Sequence, residues 1–135
     1  MSTVKVVNFR HPSASLDNAV LDSSGGMKLG GAYKQSAQAM SALDVDCSAG
    51  NYFTKSISSS STITFSNIPA SGQAVSFTVA LTLTGTGTAI TWPSSVKWNT
   101  DTAPSLTDAR THLFIFSTSD GGTTVRGAAL TDYTA

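Results

Sequence analysis

Glutamate is absent from this chain of 135 residues, and charged residues of both signs are scarce. Eight lysines and arginines balance eight aspartates, so the formal net charge at pH 7 is zero. A chain without net charge has no long-range field that would recruit nucleic acid or an anionic membrane, and we expect neither as a partner. The lack of glutamate, together with few leucines and lysines, also disfavours a helical protein.

The chain has only one cysteine and no long apolar run. The single Cys47 cannot form an internal disulfide, and we expect it to be a small buried residue, so no oxidising compartment is implied. No apolar run reaches the roughly 18 residues that a membrane-spanning helix needs, and we expect no membrane insertion. The first residues lack the basic start and apolar stretch of a signal peptide, which leads us to expect assembly in a cytoplasm.

Hydroxyl side chains take the place of charges. The chain contains 21 serines and 19 threonines, a composition that suits strands and turns because threonine is β-branched and serine favours turns. The clearest strand is "VSFTVALTLT", in which Val75, Phe77, Val79, Leu81 and Leu83 alternate with serine, threonine and alanine. One apolar face and one hydroxyl face are typical of a half-buried strand in an antiparallel sheet.

Several further segments read as strands separated by glycine, proline or serine turns. "LDVDC" and "TITFSNI" alternate, whereas "THLFIFSTS" is nearly continuous in apolar residues and predicts a central strand covered on both faces. "GTGT" predicts a hairpin that leads into "AITW". We therefore predict an all-β protein, with an antiparallel β-sandwich of jelly-roll type over residues 41–135. The residues expected in its core are Phe65, Phe77, Val79, Leu81, Phe114 and Phe116.

Residues 1–40 differ from the rest of the chain. Between residues 9 and 31 large apolar side chains are few and stand among serine, glycine, aspartate and proline, so this stretch can hardly bury enough surface to fold alone. We predict an extended N-terminal arm whose short pieces "TVKVVNF", "NAVLD" and "MKLGG" add strands to a neighbouring subunit or wrap across it. The alternative is that the arm packs onto its own sandwich. The apolar residues assigned to attachment are Val4, Val6, Phe9, Leu16, Val20, Leu21, Met27 and Leu29.

No residue pattern in the chain indicates catalysis or metal binding. Nucleophilic catalysis needs a base beside a hydroxyl or thiol, and of the two histidines, His11 lies in the loose N-terminal stretch while His112 opens a strand. Nothing around Cys47 or His112 favours a thiol–imidazole pair. Asp44 and Asp46 point to one face, as a weak calcium site requires, yet such a pair more often forms the solvent-exposed face of a strand. We predict no catalytic residue, no cofactor and no metal.

Two tryptophans are the remaining candidates for a binding surface. "TWPSSVKWN" places Trp92 and Trp98 on either side of a Pro-Ser-Ser turn. Because an indole face pairs well with the apolar face of a sugar, the two residues are a candidate site for a surface glycan. The alternative, which we favour, is that the two rings close one end of the sandwich.

A series of short strings resembles a known group of virus proteins. "DCSAGNYFTKSI", "TFSNIPASGQAVSFTVALT", "ITWPSSVKWNTDTAPSLT", "THLFIFSTSDGG" and "RGAALTDY" follow one another, after a "PSAS" and an "LDSSGG" near the N-terminus. In this order they resemble the C-terminal β-domain of bacteriophage tail fibres and small capsid-decorating virion proteins, over nearly the whole chain. One departure is that members often carry an aromatic residue after the "DGG" turn, where this chain has Thr123, Thr124 and Val125.

The resemblance implies a non-enzymatic structural protein of the virion that forms a homotrimer and is assembled in the host cytoplasm. Its partners would be the major capsid protein or tail proteins, with a host-surface glycan as a further ligand. We expect a capsid decoration or cement protein attached through its N-terminal arm, because the chain has no repeats, collagen-like triplets or coiled-coil heptads of a fibre shaft. The alternatives are a tail fibre or receptor-binding tip that contacts the host surface, and an isolated carbohydrate-binding module.

Overall fold

The protein is all-β, as its composition predicted. The computed structural model describes residues 8–9, 19–21, 24 and 26–134, and these contain thirteen strands and a single 3₁₀ turn at Asn99–Asp101. In chain order the strands are β1 (Asn8–Phe9), β2 (Ala19–Leu21), β3 (Met27–Leu29), β4 (Gln38–Ala39), β5 (Asp44–Asp46), β6 (Tyr52–Ile57), β7 (Ser61–Thr62), β8 (Thr64–Ser66), β9 (Val75–Leu83), β10 (Ile90–Thr91), β11 (Val96–Trp98), β12 (Arg110–Thr118) and β13 (Val125–Thr134). The chain divides into two compact units, Met1–Lys34 and Gln35–Ala135.

The smaller unit contains an antiparallel three-stranded sheet in the order β1-β2-β3. The pieces "NAVLD" and "MKLGG" are therefore confirmed as containing strands, and these two strands pair with each other. The outer strand β3 exposes Met27 and Leu29, at 67% and 40% of their surface. The larger unit begins before the expected boundary at residue 40, because β4 pairs with β6 and Met40 is buried in the core.

The larger unit is built on a six-stranded sheet in the order β11-β13-β12-β9-β6-β4. β12 lies antiparallel between β9 and β13, whereas β6 runs parallel to β9, β4 parallel to β6 and β11 parallel to β13. The sheet is therefore mixed, and the prediction of a purely antiparallel arrangement is wrong. Parallel neighbours need a long crossover connection, and residues 58–74, which include β7 and β8, provide one between β6 and β9.

The core lies on one face of this sheet. The alternation in "VSFTVALTLT" is confirmed on the apolar face, since Phe77, Val79, Leu81 and Leu83 are at most 2% exposed and Val75, at the start of the strand, is half-buried. Burying a side chain of this kind contributes about 1.5–3 kcal/mol. Of the six residues predicted in the core, five are buried, and Phe65 is half-buried and packs against the other core residues.

β12 is not covered on both faces, although its apolar run predicted this. Phe114 and Phe116 are fully buried, whereas Ile115 between them is 45% exposed. Successive side chains of a strand point to opposite faces of the sheet, so β12 places aromatic rings in the core and an aliphatic side chain outside. The apolar run therefore reflects one buried face and one exposed aliphatic face, and the prediction of double coverage is wrong.

Two short parallel pairs, β5 with β8 and β7 with β10, contribute to the same core. Val45 of β5 and Ile63, which follows β7, are fully buried. Phe65 of β8 lies edge-on to Phe77 and Phe116, with 5.2 Å between ring centroids in each case. These pairs therefore contribute side chains to the core on the apolar face of the six-stranded sheet.

The "GTGT" turn does not form the predicted hairpin. β10 pairs in parallel with β7 instead of returning along β9, and the backbone N–H of Ser61 donates to the carbonyl of Ala89 beside this pair. The carboxylate of Asp108 accepts hydrogen bonds from the backbone N–H groups of Gly87 and Thr88. This contact ties the turn to the segment before β12, and local turn composition cannot reveal it.

Candidate functional site

Trp92 and Trp98 lie together in an aromatic cluster on the core face of the sheet. Their ring centroids are 5.9 Å apart in an edge-to-face arrangement, and Trp92 is 4.7 Å from Phe114 and 5.0 Å from Phe116. Each such ring pair contributes about 0.5–1.5 kcal/mol beyond the area it buries. Both indoles are half-buried, so each is held by the core and also keeps part of its surface open.

The course of the chain explains why the two indoles meet. After Trp92 the chain turns, with the N–H of Val96 donating to the carbonyl of Pro93 at 2.9 Å, and β11 then runs parallel to β13. This pairing places Trp98 opposite Gly127, where a Cβ atom would lie only 2.8 Å from Cζ3 of the indole. Glycine at this position therefore lets the indole pack directly on the backbone of β13.

Open grooves adjoin both tryptophans. A groove of about 350 Å³ borders Trp92, and grooves of about 340 Å³ and 200 Å³ border Trp98. The 340 Å³ groove is lined by Lys97, Trp98, Asn99, Arg126 and Gly127. Ligand sites are concave and combine apolar surface with a few polar groups. Here the strand register places the side chains of Lys97 and Arg126 on the face of the sheet opposite to the indole of Trp98.

Sequence reasoning did not predict that Lys97 and Arg126 are neighbours. The two residues are far apart in the chain, and they become neighbours because β11 and β13 pair in parallel with Lys97 opposite Arg126. Both side chains are exposed. No local pattern in the sequence signals this contact, because it depends on the register of two distant strands.

Asp44 and Asp46, which were weighed as calcium ligands, hold β5 to its neighbours. Asp44 accepts a hydrogen bond from Thr64 Oγ1 at 2.7 Å, and Asp46 accepts from Ser48 Oγ at 2.6 Å and from Asn67 Nδ2 at 2.8 Å. The hydrogen bonds from Ser48 and Asn67 lower the pKa of Asp46. Among the described residues no group of three or more His, Cys, Asp or Glu side chains could hold a metal ion.

His112 is fully buried, and both of its ring nitrogens face backbone groups. Nδ1 accepts from the N–H of Asp132 at 3.2 Å, so Nε2 carries the proton and donates to the carbonyl of Thr107 at 2.9 Å. His112 therefore stabilises the end of the sheet and leaves no ring nitrogen for proton transfer.

Cys47 is not an activated nucleophile. Burial, with the charges of the nearby Asp46 and Asp44, raises the pKa of its thiol to about 11, and a protonated thiol is a poor nucleophile.

The attachment residues predicted in the arm are only partly covered by the structure. Met27 and Leu29 are exposed and Val20 is half-buried. Phe9 and Leu21 lie in β1 and β2, where the backbone alone is described. The remaining predicted residues, Val4, Val6 and Leu16, lie outside the described part of the chain. His11 lies outside it as well.

The chain matches none of the family models, curated proteins or solved structures with which it was compared. Within the described part of the chain, no helix has the length and apolar character needed to cross a membrane.

Proposed function

We propose that this protein is a non-enzymatic structural component of a bacteriophage virion, namely a capsid decoration or cement protein. In this proposal the N-terminal segment attaches the chain to the major capsid protein and the larger unit is displayed. The observation that carries the proposal is the separate small unit, Met1–Lys34, whose outer strand exposes apolar side chains. The resemblance in the order of the sequence strings supports the assignment to a virion.

Exposed apolar side chains are concentrated near the end of the small unit. Met27, Leu29 and Tyr33 are 67%, 40% and 70% exposed within a stretch of seven residues. Burying a side chain of this size against a partner gains about 1.5–3 kcal/mol, and groups of exposed apolar residues mark interaction surfaces. This stretch is therefore the part of the described chain that we assign to contact with the capsid.

We propose further that the larger unit is a jelly-roll-type β-sandwich and that it assembles as a homotrimer. The pairs β5–β8 and β7–β10 would form the second layer, because Val45, Ile63 and Phe65 enter the core of the six-stranded sheet. The opposite face of the sheet exposes Ile115 and Leu130. The outward side chains of β6, β9 and β12 carry no charge, so a second copy could cover these three strands without bringing like charges together. Arg126 and Lys97 lie on the same face at the edge of the sheet.

Copy number on the particle tests the proposal most directly. A decoration protein is present in hundreds of copies per virion, whereas a tail fibre or receptor-binding tip is present in at most a few dozen. Quantitative mass spectrometry of purified particles, referenced to the major capsid protein, measures this ratio. A count of a few dozen or fewer overturns the decoration assignment in favour of the tail fibre or tip.

A reattachment experiment tests the role assigned to β3. The double variant Met27→Ser, Leu29→Ser should fail to bind particles stripped of this protein, while it unfolds at the same temperature as the wild type. Lys28→Ser is the matched control, because Lys28 lies between the two residues on the same strand, is also exposed and points to the other face. Wild-type binding by the double variant, or equal loss in the control, contradicts attachment through this face.

A further inference from the structure

Strand β8 has one free edge. On its other edge it pairs in parallel with β5, where the N–H of Thr64 donates to the carbonyl of Leu43 at 2.9 Å. The carbonyl of Ser66 accepts from the N–H of Cys47 at 3.0 Å on the same side. Because the backbone groups of successive residues in a strand point to opposite sides, the N–H and the carbonyl of Phe65 point away from β5. No described residue forms a backbone hydrogen bond with either group.

Pro93 explains why this edge is free. The chain just before β8 pairs with β10, and the N–H of Ile63 donates to the carbonyl of Thr91 at 2.9 Å. The next bond of this parallel ladder would come from the N–H of residue 93, and proline has none. The carbonyl of Pro93 is also occupied, because it accepts from the N–H of Val96 at 2.9 Å. The β10 ladder therefore ends before it reaches Phe65.

A groove lies along the free edge of β8, and we name it the edge groove. It measures about 550 Å³, which lies in the range of ligand sites, roughly 300–1,000 Å³. It is lined by β8 and the residues next to it, by Pro93 and Ser95, and by the turn that contains Gly121 and Gly122. No charged residue lines it, and its apolar side chains include those of Phe65 and Ile68.

The free backbone groups indicate the chemistry of the occupant. An extended peptide offers a carbonyl and an N–H at the spacing of a neighbouring strand, which is how a segment is added to the edge of a sheet. All thirteen described strands of this chain already belong to sheets, and three segments of the chain border the edge groove. The edge groove therefore suits a single added segment rather than the edge of another sheet. Its uncharged lining favours an uncharged segment, because a buried charge would have no partner there.

We propose that the edge groove binds an extended, uncharged segment of a partner protein, which takes the place in the ladder that β10 leaves empty. The backbone of this segment accepts from the N–H of Phe65 and donates to its carbonyl. Every second side chain of the segment faces inward and packs on Phe65 and Ile68. This inference goes beyond the proposed function, which assigns contact with the capsid to the small unit, and it does not rest on that assignment.

Amide hydrogen exchange of the full-length chain, followed by NMR, tests the proposal. In the free chain the N–H of Phe65 should exchange at least about tenfold faster than those of Ile63 and Thr64, which are hydrogen-bonded. Millimolar acetyl-Thr-Val-Ser-Val-Thr-amide should shift the amide signal of Phe65 and slow its exchange. The same peptide N-methylated at every residue has no such N–H to donate. It should bind at least about tenfold more weakly, which corresponds to about 1.4 kcal/mol.

A pair of variants locates the binding. Ser95→Tyr places a large side chain in the edge groove and should abolish peptide binding. Ser94→Tyr is the matched control, because Ser94 is the exposed neighbour in the chain and does not line the edge groove. It should bind the peptide as the wild type does, and both variants should unfold at the wild-type temperature. If Ser95→Tyr does not fold, the N-methylated peptide decides the question.

Other outcomes overturn the proposal. Exchange at Phe65 that is as slow as at Ile63 and Thr64, at every concentration of the free chain, means that the edge is not free. Protection that appears only at high chain concentration, together with a larger sedimentation coefficient, assigns the edge groove to a second copy. Equal affinity for the two peptides identifies a pocket that does not use strand pairing, and no shift at tens of millimolar peptide excludes the site. None of these results bears on copy number or on reattachment to particles, so they leave the proposed function standing.

Discussion

Truncating Phe77 to alanine tests whether the core lies on one face of the six-stranded sheet. Phe77 is 2% exposed, and its ring centroid lies 5.2 Å from Phe65, 5.4 Å from Phe116 and 6.4 Å from Phe53. The substitution leaves a cavity between three rings that are themselves packed against further core residues, so they can close it only in part. Phenylalanine-to-alanine changes at such sites cost about 3–5 kcal/mol, a large share of the roughly 5–15 kcal/mol that stabilises a domain.

Urea unfolding followed by tryptophan fluorescence measures this loss. For a slope of about 2 kcal/mol per molar urea, a loss of about 4 kcal/mol moves the midpoint by about 2 M. Ile115→Ala, measured on the monomeric chain, is the control, because Ile115 lies on the neighbouring strand β12, faces the other way and is 45% exposed there, so its loss should stay below about 1 kcal/mol. A loss below about 1 kcal/mol for Phe77→Ala, or equal losses in the two variants, would refute this placement of the core.

Two further predictions follow from the ionisable groups. Hydrogen bonds from Ser48, Gly87 and Thr124 lower the pKa values of Asp46, Asp108 and Asp120, respectively. Because these pKa values lie below the unfolded value of about 3.9, the three carboxylates stabilise the fold above about pH 4, and this stabilisation is lost as the pH falls through the folded pKa values. The urea midpoint of the wild type should therefore fall in this pH range, and it should fall less in the variant with all three aspartates changed to asparagine. A wild-type midpoint that does not change with pH in this range contradicts the prediction. Burial raises the pKa of Cys47 to about 11, so iodoacetamide at pH 7 should label the native thiol much more slowly than the urea-unfolded thiol, and equal rates contradict this.

Only part of the candidate site could be predicted from a local sequence pattern. "TWPSSVKWN" identified Trp92 and Trp98, because two indoles flanking a short turn are visible in the sequence itself. The pairing of Lys97 with Arg126 was not predicted, since Arg126 belongs to a different strand and meets Lys97 only through the parallel register of β11 and β13. The close fit of Trp98 on Gly127 depends on the same register.

The sequence alone determined that this is an all-β protein and identified part of its core, namely Phe77, Val79, Leu81, Phe114 and Phe116. The hydroxyl-rich composition and the period of two in "VSFTVALTLT" suffice for this, because the alternation of side chains is a local property of an extended backbone. The weak pieces "NAVLD" and "MKLGG" were recognised as strands for the same reason.

Only the tertiary structure decided how the strands pair. Strand direction and neighbours depend on long connections and distant contacts, such as the crossover between β6 and β9 and the Asp108 carboxylate that holds the 85–88 turn. The same contacts decided that β10 pairs with β7, that Ile115 is exposed between two buried phenylalanines, and that Lys97 meets Arg126. The alternation of side chains tells which face of a strand is apolar. The backbone N–H and C=O groups of a strand, however, can pair with those of any other strand, so the packing of the whole unit decides which strands become neighbours.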